Sequence, residues 1–172
     1  RVFDQSLFAP EWLPAVAFCA AIWIGCGYAI YTRLRPLGME PAVFHRSGGG
    51  WRILDEPELH FGNDVLVPDI AGWRRERLPG FPVEAYFTIA PDWVCEVLSG
   101  FTEAIDRGQK LRRYGREGVT HAWLVDPLQQ TLEVLALHHG QWRLLNRHAG
   151  EAVVRVVPLG AVELQLAQHW AI

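Results

Sequence analysis

One short segment restricts the possible folds of this chain more than any other: residues 93–99, which read WVCEVLS. Every side chain in it except Glu96 and Ser99 is apolar, so a strand formed here needs cover on both of its faces. Strands of this kind are typical of sheets packed between two other layers. An ionised Glu96 inside such a strand is costly unless it is paired with a cation or binds one.

The pattern on either side of this segment predicts a single α/β domain. A helix is expected over residues 102–114, with Thr102 as its N-cap and with Gly115 and Gly118 beyond its end. The other strands are predicted at residues 51–59, 64–70, 121–127, 131–137, 141–147 and 151–157. The predicted fold is therefore a mixed central sheet flanked by helices, with a C-terminal β-meander that begins with a hairpin around residues 138–140.

A second carboxylate, Asp69, ends the apolar segment of residues 64–70. Two carboxylates on neighbouring strands repel each other unless a proton or a divalent metal lies between them. Oxygen ligands of this kind suit Mg²⁺ or Mn²⁺. Glu58, late in the first predicted strand, is a candidate for a third carboxylate. The alternative interpretation is that Glu58 is a solvated residue without a role in the site.

The predicted helix carries Thr102, Asp106 and Lys110 at four-residue intervals, which places them on one face. Because the helix begins just after Glu96, this face can lie over the two carboxylates. Lys110 is the one Lys among 16 basic residues, and its amine has a tunable charge that a guanidinium lacks. The alternative interpretation of Lys110 is a surface residue in a chain that uses Arg elsewhere.

Four motifs in this order resemble a known family. They are Pro68-Asp69, the E-V-L-S of residues 96–99, the D-x-x-x-K-x-x-x-Y of residues 106–114, and the G-V-x-x-x-W-L-V-D-P of residues 118–127. Together they are similar to the Uma-two-type family of restriction endonucleases, which belongs to the PD-(D/E)XK nuclease superfamily. The resemblance covers about residues 48–160 and implies a restriction-endonuclease-like core.

The resemblance also implies a site and a reaction. Asp69 and Glu96 correspond to the two metal-binding carboxylates, and Lys110 joins them as the third catalytic residue. The superfamily usually has a Lys two positions after that Glu, but this chain has Leu98 there. The resemblance therefore implies that Lys110 on the helix takes the role of that Lys. The implied reaction is hydrolysis of DNA phosphodiester bonds, with Mg²⁺ or Mn²⁺ as the cofactor.

Two clusters of basic residues are candidates for contacts with DNA. One consists of Arg74, Arg75 and Arg77, and the other includes Arg107 and Arg113 in the helical region. Phosphate contacts add affinity that does not depend on DNA sequence and that falls with salt. The alternative is a solvated surface whose charges are paired with Asp and Glu. The formal net charge of −3 excludes a globally basic protein but not a local basic groove.

Residues 1–45 differ in composition from residues 46–172, which form the predicted nuclease-like domain. Residues 12–31 carry no charge and are long enough for a helix that crosses a bilayer. Three interpretations stay open: a transmembrane helix, a buried core helix, and sequence that is not native to the protein. The use of cysteine fits a reducing compartment. The expected location is the cytoplasm, with membrane association through residues 12–31 as the alternative.

Two functions are compatible with these patterns. The first is a Mg²⁺-dependent endonuclease that acts on DNA, as a monomer or as a homodimer. The second is a catalytically silent nuclease fold that binds nucleic acid or protein, with or without a membrane anchor. Geometry discriminates between them, because an active site needs the carboxylates of Asp69 and Glu96 close together, within reach of the Lys110 amine and open to solvent.

Overall fold

The computed structural model of the protein describes residues 50–160 and 163–170. The predicted N-terminal segment of residues 1–45, with its candidate membrane span at residues 12–31, lies outside the described residues. Within the two described stretches, no helix is both long enough and apolar enough to cross a membrane.

The centre of the domain is one mixed sheet of six strands, in the order β1-β4-β5-β6-β7-β8. The strands are β1 (Trp51–Asp55), β2 (Leu59–Phe61), β3 (Asp64–Leu66), β4 (Ile70–Arg74), β5 (Trp93–Val97), β6 (His121–Asp126), β7 (Thr131–His138), β8 (Gln141–Ala149), β9 (Val153–Val154) and β10 (Leu164–Gln165). Only β5 and β6 are parallel neighbours within this sheet; its other neighbouring pairs are antiparallel. The predicted α/β class with a mixed central sheet is confirmed.

The first two predicted strands are each divided in two. Residues 51–59 form β1 and the start of β2, while residues 64–70 form β3 and the start of β4. Pro57 and Pro68 lie at the two breaks, and proline cannot donate a backbone hydrogen bond to a neighbouring strand. Strands β2 and β3 pair with each other as a separate hairpin, and only β1 and β4 join the main sheet.

The prediction of a C-terminal meander is confirmed for residues 121–149 and wrong for residues 151–157. Strands β6, β7 and β8 are antiparallel neighbours, and the predicted turn at residues 138–140 joins β7 to β8. A β-bulge interrupts the β7–β8 pairing, because Val134 pairs with Asn146 but Leu135 pairs with Leu144. Of residues 151–157 only β9 is a strand, and it pairs with β10 outside the main sheet.

One helical segment crosses the sheet, and we call residues 103–116 the covering helix. It consists of α1 (Glu103–Ile105), a π-helical turn (Asp106–Lys110) and α2 (Leu111–Arg116); a further short helix, α3, is Ala167–Trp170. Thr102 makes no side-chain cap bond to the helix, contrary to the prediction, because its hydroxyl pairs with that of Ser99 at 3.0 Å. Gly115 lies inside the helix, and Gly118 follows its end with a φ of 85°.

The two faces of the sheet have different covers. On the helix face, Leu111 and Tyr114 of the covering helix pack against apolar strand residues such as Val94 and Ala122. On the opposite face, which we call the C-terminal face, Trp93 and Trp123 belong to a second core with residues from β9, β10 and α3. Their rings meet edge to face, with centroids 4.7 Å apart. The strand around Glu96 therefore has cover on both faces, as its sequence predicts.

Candidate active site

Asp69 and Glu96 are adjacent residues on the helix face. The antiparallel register of β4 and β5 pairs Ile70 with Cys95, so the next step of the same register brings Asp69 opposite Glu96. The backbone N–H of Val97 donates a hydrogen bond to Asp69 Oδ2 at 2.5 Å. Asp69 is 5% exposed and Glu96 is 1% exposed. The structure thus brings together the two carboxylates on which the sequence interpretation depends.

Lys110 reaches this pair from the covering helix. Its Nζ lies 2.8 Å from Glu96 Oε2, 3.1 Å from Asp106 Oδ1 and 3.2 Å from the backbone oxygen of Val67. The contacts with Glu96 and Val67 are hydrogen bonds, and the contact with Asp106 is an ion pair. The Lys110 side chain keeps 21% of its surface exposed, so solvent reaches this member of the cluster.

Tyr114 supplies a second donor to Glu96. Its hydroxyl is buried and donates a hydrogen bond to Glu96 Oε1 at 2.6 Å. Each carboxylate oxygen of Glu96 therefore accepts a hydrogen bond from the covering helix. The sequence interpretation assigned no role in the site to Tyr114 or to Asp106, although the four-residue spacing of Asp106, Lys110 and Tyr114 was the signal that could have identified both.

The π-helical turn explains why this spacing works. In a regular α-helix with 3.6 residues per turn, residues four apart drift by about 40° at each step, which would separate Asp106 from Tyr114 by about 80°. In the π turn, the N–H of Leu111 donates to the backbone oxygen of Asp106, so the turn holds one residue more and offsets the drift. Short π-helical segments are frequent at functional sites.

The electrostatics of the cluster favour binding of a cation. Burial and the neighbouring Glu96 raise the pKa of Asp69 to about 8. Burial also raises the pKa of Glu96 to about 7, although the charge of Lys110 and hydrogen bonds from Lys110 and Tyr114 act in the opposite direction. Burial alone would lower the pKa of Lys110, but the carboxylates around it outweigh that effect and the pKa is raised.

The donor set of the site fits a hard divalent cation. Mg²⁺ is commonly held by one or two carboxylates, with water and substrate phosphate at its other positions, and Asp69 and Glu96 are two such carboxylates. Among the described residues, the carboxylate of Asp69 accepts one hydrogen bond, at Oδ2. In the described part of the chain, no three or more His, Cys, Asp or Glu residues are grouped as a complete metal site. Water and substrate would have to complete the shell.

Glu58, the predicted third carboxylate, has a different partner. It is exposed, and its carboxylate contacts the imidazole of His60 at the start of the β2–β3 hairpin. Among the described residues, no contact joins Glu58 to Asp69 or Glu96. The structure therefore does not bring Glu58 into the site.

The first arginine cluster lies at the opposite end of β4 from Asp69. A strand rises about 3.4 Å per residue, so Arg74 is roughly 14 Å along the strand from Ile70. Its guanidinium stacks over the ring of Trp51 at 4.2 Å, and Arg77 is paired with Asp92 at 2.8 Å. The Nε of Arg75 lies 3.4 Å from the backbone oxygen of Trp51. The structure thus places these arginines together at the far end of β4, away from Asp69 and Glu96.

The second arginine cluster lies beside the site. Arg107 is bound by two carboxylates, with Glu133 on β7 at 2.5 Å and Glu103 at 2.8 Å. Arg113 contacts Asp64 at 3.5 Å. These pairs are partly exposed, so the arginines are accessible to a phosphate that replaces a carboxylate.

Comparison with known proteins identifies the family. No curated protein matches the chain. A crystal structure described as that of a putative nuclease belonging to DUF820, from Anabaena variabilis, is similar with 23% identity and a TM-score of 0.62, covering 88% of this chain and 79% of the other. At this identity the likeness concerns the fold. The family model Uma2, described as a putative restriction endonuclease, matches residues 34–168. The resemblance drawn from the motifs is confirmed, and the chain belongs to the Uma2 family.

Proposed function

We propose that the protein is a metal-dependent endonuclease that hydrolyses DNA phosphodiester bonds. The observation that carries the proposal is the contact of the Lys110 amine with Glu96 at 2.8 Å, next to Asp69 on the neighbouring strand. Two buried carboxylates and an amine at a solvent-accessible point are the groups that metal-assisted phosphoryl transfer needs. Membership of the Uma2 family supports the nuclease part of the proposal.

Asp69 and Glu96 are the residues that would hold Mg²⁺ or Mn²⁺. Such an ion polarises a phosphoryl oxygen and lowers the pKa of a bound water. Lys110 would orient the attacking water or neutralise charge that develops on the phosphate. Tyr114 fixes Glu96 through the hydrogen bond at 2.6 Å, and Asp106 fixes the amine at 3.1 Å. These last two are positioning residues.

The substrate surface is part of the same proposal. Arg107 and Arg113 lie on the covering helix and would contact phosphates near the carboxylates, whereas Arg74, Arg75 and Arg77 would contact DNA only along a path that runs the length of β4. All five would give affinity that falls with salt. A homodimer would provide two such sites for the two strands of a duplex, and it remains a prediction.

A plasmid cleavage assay tests the proposal. Purified protein is incubated with supercoiled DNA in Mg²⁺, in Mn²⁺ or in EDTA, and nicked and linear products are quantified. Asp69→Asn and Glu96→Gln should each lower the rate by about 100-fold or more, because a group that stabilises the transition state electrostatically is lost. Lys110→Arg should also lose most activity, since the guanidinium is larger and its geometry is fixed.

Asp126→Asn is the matched control. Asp126 is buried in the same sheet, and its Oδ1 accepts the N–H of Gln129 at 2.8 Å, a bond that the amide oxygen of Asn can also accept. Cleavage that is equal in all variants would contradict the assigned residues. DNA binding by the wild type without cleavage in either metal would favour the second candidate, a catalytically silent binding module.

A further inference from the structure

The surroundings of the Lys110 amine resemble those of a bound metal ion. Its three contacts, at 2.8, 3.1 and 3.2 Å, are two carboxylate oxygens and one backbone carbonyl oxygen. Hard oxygen atoms of these two kinds are the ligands that Mg²⁺ and Ca²⁺ take in proteins. The ammonium group thus stands among oxygen atoms in the manner of a monovalent cation.

This arrangement surrounds the amine with partners. It donates hydrogen bonds to Glu96 and to the backbone oxygen of Val67, and its charge is paired with Asp106 at 3.1 Å. A phosphate oxygen or a water that is to receive a hydrogen bond from Lys110 must therefore replace one of these contacts. Glu96 is the most constrained of the three acceptors, because its other oxygen is held by the buried hydroxyl of Tyr114.

A divalent ion at Glu96 would meet the ammonium at close range. Oxygen–metal distances for Mg²⁺ are about 2.0–2.1 Å, and the amine is already 2.8 Å from Oε2 of the same carboxylate. Two cations on one buried carboxylate repel each other strongly, since screening by solvent is weak at a residue that is 1% exposed.

We propose that Lys110 is the resident cation of the metal-free site, and that a divalent ion displaces its amine from Glu96. The inference rests on the proposed function and deepens it. Metal binding and the release of the amine from Glu96 become one event, so the N–H that Glu96 holds turns to phosphate or water only when the metal is present. Asp106 keeps the amine near the site after the exchange, because it is a second acceptor four residues away on the same helix.

The wild-type protein offers a direct test, because Lys110 is the one lysine in the chain. Protein labelled with ¹³C-lysine gives a single set of lysine side-chain NMR signals, which is followed during titration with Mg²⁺. We expect the Lys110 signal to shift and to saturate with the metal. Acylation of Lys110, followed by mass spectrometry of its peptide, should become several-fold faster in Mg²⁺ than in EDTA, because the amine is released.

NaCl at matched ionic strength is the control for screening, and Asp69→Asn is the control for metal binding; neither should produce the shift. Mg²⁺ binding measured by calorimetry with no change in the Lys110 signal or in its acylation rate would overturn the inference. The proposed function would survive that result, because the metal would still be bound.

A variant gives the complementary measurement. Lys110→Met removes the resident cation and should bind Mn²⁺ about tenfold or more tightly than the wild type, whereas Lys110→Arg keeps a positive charge and should not. Equal or weaker binding by a folded Lys110→Met protein would overturn the inference alone. Absence of Mg²⁺ and Mn²⁺ binding in both the wild type and Lys110→Met would overturn the inference and the proposed metal-dependent function together. The NMR measurement needs no variant and decides the question if Lys110→Met does not fold.

Discussion

The two faces of the central sheet are built from the same strands but bury different side chains. In β5, Trp93, Cys95 and Val97 belong to the core of the C-terminal face, while Val94 and Glu96 point to the helix face. The C-terminal face packs apolar groups against apolar groups. The helix face buries Asp69 and Glu96 of the strands together with Asp106 of the covering helix.

The difference between the faces shows how a small domain can bury charged groups and still be stable. Burial of a carboxylate opposes folding unless partners compensate it, and the covering helix supplies those partners from Lys110 and Tyr114. Among the described residues, the core of the C-terminal face contains no carboxylate that needs such partners, and it contributes stability through packing. We therefore expect stability to depend on pH through the helix face and not through the C-terminal face.

The largest effect is expected from Trp123→Ala on the C-terminal face. Trp123 is buried against Trp93, and its Nε1 donates to the backbone oxygen of Val157 at 2.7 Å. Removal of a buried Trp side chain lowers the free energy of unfolding by about 3–5 kcal/mol. Urea denaturation in EDTA at pH 5 and at pH 9 should give the same loss. A loss that differs between the two pH values would contradict the expectation that only the helix face makes stability depend on pH.

Asp69→Asn should stabilise the metal-free protein by an amount that grows as the pH rises from about 4 to about 8. The folded-state pKa of about 8 lies above the ordinary value of 3.8. Below pH 4 both states hold the proton and Asp69 adds no penalty. Between pH 4 and pH 8 the folded state holds a proton that the unfolded state has released, so stability falls as the pH rises. Above pH 8 the full penalty, on the order of a few kcal/mol, is present.

The amide of Asn is neutral throughout, so its advantage over the wild type should grow from near zero at pH 4 and below to its full value at pH 9. Urea denaturation in EDTA across this range measures the difference. Glu96→Gln should also reduce the loss of stability that accompanies rising pH, since burial raises the pKa of Glu96 as well. A gain in stability that is independent of pH would show that the burial penalty has been assigned to the wrong group.

Tyr114→Phe should have an intermediate effect. The variant removes the hydroxyl that donates to Glu96 at 2.6 Å and leaves a buried acceptor with one donor fewer, which costs about 1–3 kcal/mol. Tyr86→Phe is the matched control, because the Tyr86 hydroxyl has no hydrogen bond among the described residues, and its cost should stay within about 0.5 kcal/mol. Equal melting temperatures for the two variants would show that the hydrogen bond from Tyr114 to Glu96 does not stabilise the protein.

The smallest effect concerns Arg107, which joins the covering helix to β7. A double-mutant cycle of Arg107→Met and Glu133→Gln should give a coupling energy of about 1 kcal/mol, because the contact at 2.5 Å is partly exposed. DNA titrations at several salt concentrations test the other assignment of Arg107. A phosphate contact predicts that Arg107→Met lowers the salt slope by about 1, whereas an unchanged slope would leave only the structural contact with Glu133.

The sequence was sufficient to predict the strands that are apolar on both faces, namely the regions of β5 and β6. It was less informative where proline interrupts an apolar run, because the residues around Pro57 and Pro68 continue the strand pattern although the hydrogen bonding cannot continue. Residues 151–157 have β-branched composition without a neighbouring strand edge to pair with over their length. Composition alone does not show the availability of a pairing edge.

The nearness of Asp69, Glu96 and Lys110 was predicted from the buried strands that carry the two carboxylates, from the helical spacing that leads to Lys110, and from the family resemblance. The four-residue spacing pointed to Tyr114 and Asp106 as well, but it did not decide their role, because an aromatic residue at helical spacing is typical of core packing, and an Asp four residues before a Lys is typical of a surface ion pair. The π-helical turn that aligns them has no signal in residue type. It depends on the packing of the whole helix against the sheet.

Strand β8 has a consequence for self-association in solution. Within the described residues it is the outermost strand of the sheet, with β7 as its one neighbour, and nine-residue edges of this kind are templates for aggregation. The bulge at Leu145 disturbs the edge. Antiparallel pairing of two β8 strands centred on Leu145 would place Arg143 opposite Arg147 of the second copy, and like charges in that position repel. The bulge and the like charges therefore protect the β8 edge from pairing with a second copy. We expect that the protein does not form intermolecular sheets through β8, even in concentrated solution.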